Sequence, residues 1–264
     1  MSQHTASRCE APGTTAPDRL RSQRGLSLIE MALALTVVGV LMGMALKSQE
    51  LVEQYRQSQF VSQVQALIAN ARAHQGTLGR WPGDCNRDGL VDYSFDFVDL
   101  TLGMSLDYGA PTTLDPATAT GSPLTYVYEA GNVCPNNSLV LFEEINVPFN
   151  ELKRGGYEPA SEPNRKTANH GLGGFAYLGT FSTGPAVEQR FNALVLTDVS
   201  IQGARRLANA IDGNDGSAAN TGRVRRVKVP APPAPLAFEA LWTTSSENEL
   251  ARVPVVVYFD RIPP

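Results

Sequence analysis

The chain has 264 residues, of which 42% are apolar and 18% are charged, and its net charge at pH 7 is −4. A chain of this length can bury a hydrophobic core in one large domain or two small ones. The net charge is too small to indicate or to exclude a nucleic-acid partner.

The first 25 residues differ in composition from the rest of the chain. They carry four arginines against two acidic residues, a net charge of +2, with proline and threonine between them. Such a segment cannot bury apolar surface, so we expect residues 1–25 to be a disordered cytoplasmic leader. Positive charge beside an apolar run keeps that end inside the cell. No small-residue cleavage site follows the run, which argues against a secreted protein with a removed signal peptide.

Residues 26–46 form an apolar run in which Glu30 is the only charged residue. A helix of about 20 residues is about 30 Å long, which matches the hydrocarbon core of a bilayer. The run therefore predicts a membrane-spanning helix with the rest of the chain in the periplasm. A lone carboxylate near the centre of such a helix costs about 2.5–3.5 kcal/mol, so Glu30 requires a partner. We expect no partner within reach on its own helix.

The segment 25–30, with the sequence GLSLIE, resembles the processing site of type IV prepilins and pseudopilins. The resemblance implies that a prepilin peptidase cleaves between Gly25 and Leu26 and methylates the new amine of Leu26. It also implies that Glu30 of one subunit pairs with the Leu26 amine of its neighbour in a filament. The alternative is an ordinary signal anchor that tolerates a glutamate.

Helical spacing continues beyond the apolar run. Apolar residues recur three and four positions apart over residues 47–76, with polar residues between them, and Gly76 is the first breaker. This pattern predicts an amphipathic second half of one helix of about 50 residues. Residues 77–264 are then expected to form a globular head.

Two of the three cysteines are predicted to form a disulfide. Cys9 lies in the leader, whereas Cys85 and Cys134 are expected in an oxidising compartment and both flank turn-rich sequence. A bridge closing a loop of this size stabilises a fold by about 4 kcal/mol if it is unstrained. The alternative is a pair of buried free thiols.

The head combines predicted strands with short helices. Segments rich in β-branched and aromatic residues predict strands at 125–130, 174–182, 192–200, 223–229 and 253–260. A helical run from Ser138 is expected to be interrupted at Pro148 and to end at Gly155, and residues 202–211 predict another short helix. Residues 230–235 read as a stiff polyproline linker. The predicted fold class is α+β, with the long helix packed on an antiparallel sheet.

Further motifs extend the resemblance beyond the N-terminus. The long helix followed by Trp81, Pro82, Gly83 and Asp84 is similar to pilin-like proteins in which the helix leads into a Pro-Gly-Asp loop. The segment 204–225 is similar to a later part of that group, through the pairs Ile211-Asp212 and Asp215-Gly216 and the run TGRVR at 221–225.

The segment 84–92 has the spacing of a calcium loop. Oxygen ligands at the first, third, fifth, seventh and ninth positions would come from Asp84, Asn86, Asp88, the Leu90 carbonyl and Asp92, and Gly89 allows the sharp turn. The loop resembles those of EF-hands and dockerins, but Phe95 occupies the twelfth position and the closing carboxylate is one residue later, at Asp96. The alternative is an acidic surface turn.

Two other polar stretches have plainer interpretations. The segment 212–216, DGNDG, offers a weaker oxygen site but is more typical of a turn. Basic runs at 205–206 and 223–228 lack interleaved aromatic residues for stacking on bases. We interpret the second run as a solvated edge strand, and it leaves a nucleic-acid partner as a minor alternative.

The sequence contains no motif of an active site. Its three histidines, His4, His74 and His170, lack metal-ligand spacing, and neither a nucleophile elbow nor a phosphate loop occurs. We therefore predict a non-enzymatic subunit of a type IV pilus or a secretion pseudopilus, of the minor kind because the head is large. It would wait in the inner membrane for prepilin peptidase and then join other subunits in a filament. The alternative is a permanently anchored periplasmic binding module with a calcium-stabilised head.

Overall fold

A single long helix, α1 (Leu28–Leu78), begins the described part of the chain. The computed structural model describes residues 27–95, 133–134, 145–182, 189–213, 218–228 and 237–263. Its contacts divide the chain into two units, residues 1–50 and residues 51–264. The predicted leader, the predicted strand at 125–130 and the polyproline stretch at 230–235 lie outside the described residues.

The predicted length of α1 is confirmed, but the predicted end at Gly76 is wrong by two residues. The helix has 51 residues and stops before Gly79, whose φ of 72° is left-handed and whose N–H donates to Gln75 O. Glycine inside a helix costs only about 1 kcal/mol. The last turn is held by Tyr157, whose hydroxyl donates to Thr77 Oγ1, and the Thr77 hydroxyl in turn donates to Ala73 O. The hydrogen bond from Tyr157 therefore stabilises the last turn by more than Gly76 destabilises it.

From residue 51 onward, α1 contributes one face to the hydrophobic core of the larger unit. The buried positions recur three and four residues apart, as the amphipathic pattern predicts; they are Gln57, Phe60, Val64, Leu67, Ile68, Ala71 and His74. Hydrogen bonds also tie the helix to the rest of the unit. Gln57 Nε2 donates to Gln202 Oε1, and Arg72 Nη2 donates to Phe259 O.

A six-stranded sheet forms the centre of this unit. Its strands are β1 (Ser94–Phe95), β2 (Ala176–Ser182), β3 (Arg190–Ser200), β4 (Val224–Lys228), β5 (Ala237–Phe238) and β6 (Arg252–Tyr258), in the order β1-β2-β3-β6-β4-β5. The four longest strands lie where β-branched and aromatic content predicts them. Runs of consecutive buried residues in β3 and β6 show that both faces of the central strands are covered.

The prediction of an antiparallel sheet is correct for all neighbours except one. Strand β1 runs parallel to β2, with Ser94 opposite Thr180, so the sheet is mixed. A parallel pair requires a long crossover connection. The described part of this connection contains two short helices, α2 (Val147–Arg154) and α3 (Asn164–Ala168).

Helix α2 corrects the expectation that Pro148 interrupts a helix. Proline is instead the second residue of α2, where its missing N–H removes no helical bond. The predicted end of the helix at Gly155 is confirmed. Residues 138–144, where the run was predicted to begin, lie outside the described residues.

The predicted helix at 202–211 is observed as α4 (Ile201–Asp212) with a cap at each end. The Ser200 hydroxyl accepts the N–H of Gly203, and Gly213 closes the other end with a left-handed φ of 64°. Ser200 is both the last residue of β3 and the N-cap of α4, so the helix follows the strand without a loop.

Candidate functional site

The first half of α1 has an unpartnered apolar surface. Every described side chain from residue 27 to residue 44 is exposed. The large apolar ones are each more than half exposed: Leu28, Ile29, Met31, Leu33, Leu35, Val37, Val38, Val40, Leu41, Met42 and Met44. Each such side chain gains about 1.5–3 kcal/mol when it leaves water for an apolar environment. This surface is therefore suited to contact with lipid or with other apolar helices.

Glu30 has a partner on its own helix, contrary to the expectation from the sequence. Its Oε2 accepts the N–H of Ser27 at 3.1 Å, while the Ser27 hydroxyl accepts the N–H of Ile29 at 3.4 Å. This reciprocal arrangement is a capping box, which satisfies two of the orphan amides at a helix start. The signal was present in the sequence as a serine followed three residues later by a glutamate.

The predicted membrane span is not confirmed. Among the described residues, no helix was found with the length and apolarity needed to cross a bilayer. The predicted processing residues Gly25 and Leu26 lie outside the described residues.

The predicted calcium loop folds back on itself through its own side chains. Asn86 Oδ1 accepts the N–H of Asp88, Asp88 Oδ1 accepts the N–H of Leu90, and Asp84 Oδ2 accepts the N–H of Gly89. Gly89 has a φ of 88°, as the turn requires. Asn192 fixes the far side of the loop, because its Nδ2 donates to Gly89 O and its Oδ1 accepts the N–H of Val91.

The loop residues fit a cation only in part. Asp84 is buried, its Oδ1 makes no hydrogen bond to the described residues, and burial raises the pKa of its carboxyl group. Against this, Asn86 Nδ2 donates to Asp88 Oδ2, so these two side chains bond to each other. Within the described ranges, no three acidic, histidine or cysteine side chains are grouped to hold a metal, and Asp96 lies outside those ranges. Calcium binding therefore stays a prediction.

The predicted disulfide is present and is part of a buried polar cluster. Cys85 and Cys134 are joined, with their Cα atoms 4.9 Å apart. The Arg80 guanidinium donates to Asp84 O and to Cys134 Sγ, and forms a two-pronged ion pair with the buried Glu151. Glu151 also accepts the N–H of Gly83. The end of α1, the Pro-Gly-Asp loop, the disulfide and α2 are thus held together.

Asp212, the first residue of the predicted weaker oxygen site, has a structural role. Its two carboxylate oxygens accept the N–H groups of Arg223 and Val224. A Cβ on Gly222 would lie 2.6 Å from Asp212 Oδ2, so this glycine permits the close approach. The Ile211-Asp212 pair and the TGRVR run at 221–225, both parts of the C-terminal motif, are therefore hydrogen-bonded to each other. Residues 214–217 lie outside the described residues.

The interpretation of the second basic run as a solvated edge strand is wrong. Strand β4 lies between β6 and β5, and both Arg225 and Arg226 are buried. Arg226 forms a two-pronged ion pair with Glu247, and Arg225 packs on the rings of Phe238 and Tyr258. Burial is tolerated because each guanidinium has partners. Neither side chain is available to bind a phosphate backbone.

Two of the three histidines lie among the described residues, and both are buried. His170 Nδ1 accepts the N–H of Leu172, so its Nε2 carries the proton and donates to Thr197 O. Burial lowers the pKa of His170 to about 4. Burial also lowers the pKa of His74, whose Nδ1 lies 3.2 Å from Arg80 O.

Comparison with known proteins adds one finding. Residues 20–46 match the family model described as the prokaryotic N-terminal methylation motif, which is typical of type IV pilins and pseudopilins. The match covers the exposed first part of α1, Glu30 and the predicted processing residues. No curated protein and no solved structure matches the chain.

Proposed function

We propose that this chain is a structural subunit of a type IV pilus or a type II secretion pseudopilus and that it assembles through residues 26–46. The observation that carries the proposal is the exposed apolar surface of α1 within a matched N-terminal methylation motif. The motif implies processing by prepilin peptidase and assembly with other pilin subunits. It also implies a location first in association with the membrane and then in the filament.

Processing changes the chemistry of the helix start. Hydrolysis of the Gly25–Leu26 bond frees the amine of Leu26, which is a cation at neutral pH. Glu30 lies one turn further along the helix and carries the only charge in the apolar run. In a filament, where such helices pack side by side, the amine of a neighbouring subunit would neutralise this carboxylate in a medium of low dielectric constant. The pairing fixes the register between neighbours.

A minor position in the filament follows from the size of the head. A head of this size, residues 77–264, would be difficult to accommodate in every subunit of the filament shaft. A position at the filament tip would require only a few copies of the subunit. No catalytic role is proposed.

Mass spectrometry of the N-terminal peptide tests the proposal. Trypsin cuts after Arg24 and after Lys47. The unprocessed chain therefore gives a peptide that begins at Gly25, whereas the processed chain gives one that begins at Leu26 and carries an added methyl group. We expect the second peptide from cells that contain the peptidase, and the first from a Gly25→Val variant or from cells that lack the enzyme. A protein that keeps its leader in the presence of the peptidase would contradict the proposal and favour a permanently anchored binding module.

A further inference from the structure

Lys153 lies in the last turn of α2 and is buried, which is rare for a lysine. Only 3% of the residue is exposed. Its Nζ donates to two oxygens, the backbone carbonyl of Glu162 and the side-chain Oδ1 of Asn164, at 2.5 Å each. The amine is therefore held against a carboxamide and lacks the mobility of a surface lysine.

Asn164, the first residue of α3, is fully buried and is fixed in orientation. Its Nδ2 donates to Asn146 Oδ1 at 3.0 Å and to Asn150 Oδ1 at 2.9 Å. Because both of these partners are acceptors, the amide nitrogen points to them and the amide carbonyl points to Lys153. Asn146 and Asn150 act here as positioning residues.

The surroundings favour the neutral form of the lysine. Burial lowers the pKa of Lys153 to about 8, although Glu158 and Glu162 act in the opposite direction. About a tenth of the amine is then neutral at pH 7. Burial also raises the pKa of the half-buried Glu158, so this carboxylate is a better proton acceptor than an exposed one.

From this geometry we propose that Lys153 and Asn164 form an intramolecular isopeptide bond. The Nζ lone pair of the neutral lysine attacks Cγ of Asn164, the bond between Cγ and Nδ2 breaks, and the amide nitrogen leaves as ammonia. Glu158 first accepts the proton of the lysine ammonium, and a proton returned to Nδ2 completes the leaving group. An ammonium and a primary carboxamide become a secondary amide and an ammonium, so no oxidant or other reagent is required.

The arrangement supplies the main requirements of this reaction. The hydrogen bond to Oδ1 holds the amine next to the carbonyl group that it would attack, so the two reacting groups are already brought together. Burial excludes the water that would compete with the amine. The product bond would join α2 to α3 and close the intervening turn, which begins at Gly155. This inference goes beyond assembly, since it concerns the resistance of the head to unfolding.

Peptide mapping of the full-length chain tests the proposal directly. The chain is extracted in detergent, reduced to open the Cys85–Cys134 disulfide, and digested with trypsin. An unlinked chain gives one peptide ending at Lys153 and a separate peptide over residues 155–165. The linked chain resists cleavage at Lys153 and gives residues 88–154 joined to 155–165, lighter than the sum of the two by one ammonia. We expect the joined species to account for most of the digest.

Two variants separate the bond from a structural role for the lysine. Lys153→Arg keeps a cationic donor but removes the nucleophile, and the joined peptide should disappear. Lys166→Arg changes an exposed lysine that pairs with Glu162, and the joined peptide should remain. Recovery of the free 155–165 peptide with intact Asn164 from the wild-type protein would overturn the proposal. That result does not depend on whether either variant folds, nor on whether the leader is processed.

Discussion

At the scale of single residues, Glu30 has two roles that can be separated. It accepts the N–H of Ser27 in a capping box, and in the proposed filament it pairs with the amine of a neighbouring Leu26. The first role needs only an oxygen acceptor, which glutamine also provides, whereas the second needs a negative charge.

We expect Glu30→Ala and Glu30→Gln to lower filament incorporation at least tenfold, with similar amounts of subunit in the membrane. Removal of the charge eliminates the ion pair with the neighbour in both variants. Immunoblots of sheared filaments and of membranes measure the two pools. If Glu30→Gln assembles normally and Glu30→Ala does not, the capping bond is the essential one. Normal assembly of both variants would exclude either role.

His170 couples the stability of the head to pH. Its pKa falls from 6.5 to about 4 because the ring is buried, although the hydrogen bond to Thr197 O acts in the opposite direction. Below pH 6.5 the unfolded chain therefore binds a proton that the folded chain does not. The resulting stability is complete above pH 6.5 and is lost as the pH falls towards 4.

The loss from this residue between pH 6.5 and 4 should be about 3 kcal/mol. The His170→Gln variant, which keeps a donor and an acceptor but does not titrate, should show a correspondingly smaller decrease. Denaturant titrations at several pH values measure the free energy of unfolding. Equal pH dependence in the two proteins would show that His170 does not contribute.

At the scale of elements, the acidic loop 84–92 has the ligand spacing of a calcium loop, and the question is whether it binds the ion. Its backbone is already shaped by bonds from Asp84, Asn86 and Asp88, and the buried Asp84 Oδ1 makes no hydrogen bond to the described residues. A cation would take up that oxygen but would have to displace the bond from Asn86 Nδ2 to Asp88.

If calcium binds there, an excess of about a hundredfold over the dissociation constant stabilises the folded chain by about 2.7 kcal/mol. We therefore expect a melting temperature several degrees higher in millimolar calcium than in chelator. Asp88→Ala should remove the difference and lower the melting temperature in chelator only slightly, because the bonds that Asp88 makes to Leu90 and Asn86 are exposed to solvent. Asp198→Ala, at an aspartate outside the loop, serves as the control and should retain the calcium effect. A loop that is only an acidic turn would give no difference in the wild type.

Element positions were predictable from the sequence because their causes are local. The apolar period located α1, β-branched runs located β2, β3, β4 and β6, and Ser200 with Gly213 marks the ends of α4. The parallel pairing of β1 with β2 was not predictable, because it depends on a partner more than 80 positions away. The burial of Arg226 was missed for the same reason, since Glu247 follows 21 positions later. The Ser27–Glu30 cap is local and could have been predicted from the capping-box pattern, although Glu30 was expected to have no partner on its own helix.

At the scale of the whole molecule, the division of the chain after residue 50 separates a unit with a core from a segment in which none of the described apolar side chains is buried. All the buried apolar side chains among the described residues belong to residues 60–259, and the disulfide lies in the same unit. The apolar side chains of residues 27–44 are exposed. The proposed assembly would thus use a different part of the sequence from the one that forms the core, even though α1 runs through both.

We therefore expect residues 51–264 alone to fold into a soluble domain that melts in one cooperative transition. A fragment of residues 79–264 is the matched control, because it lacks the helical segment that contributes Phe60, Val64, Leu67 and Ile68 to the core. Losing one such side chain costs about 2–5 kcal/mol, so the loss of four is comparable to the total stability of about 5–15 kcal/mol typical of a domain. The control should lack a cooperative transition, which calorimetry and near-ultraviolet circular dichroism both report. A fragment of residues 51–264 that does not melt cooperatively would show that the first 50 residues are needed for folding. A cooperative transition in the control would show that packing of α1 does not determine the stability of the head.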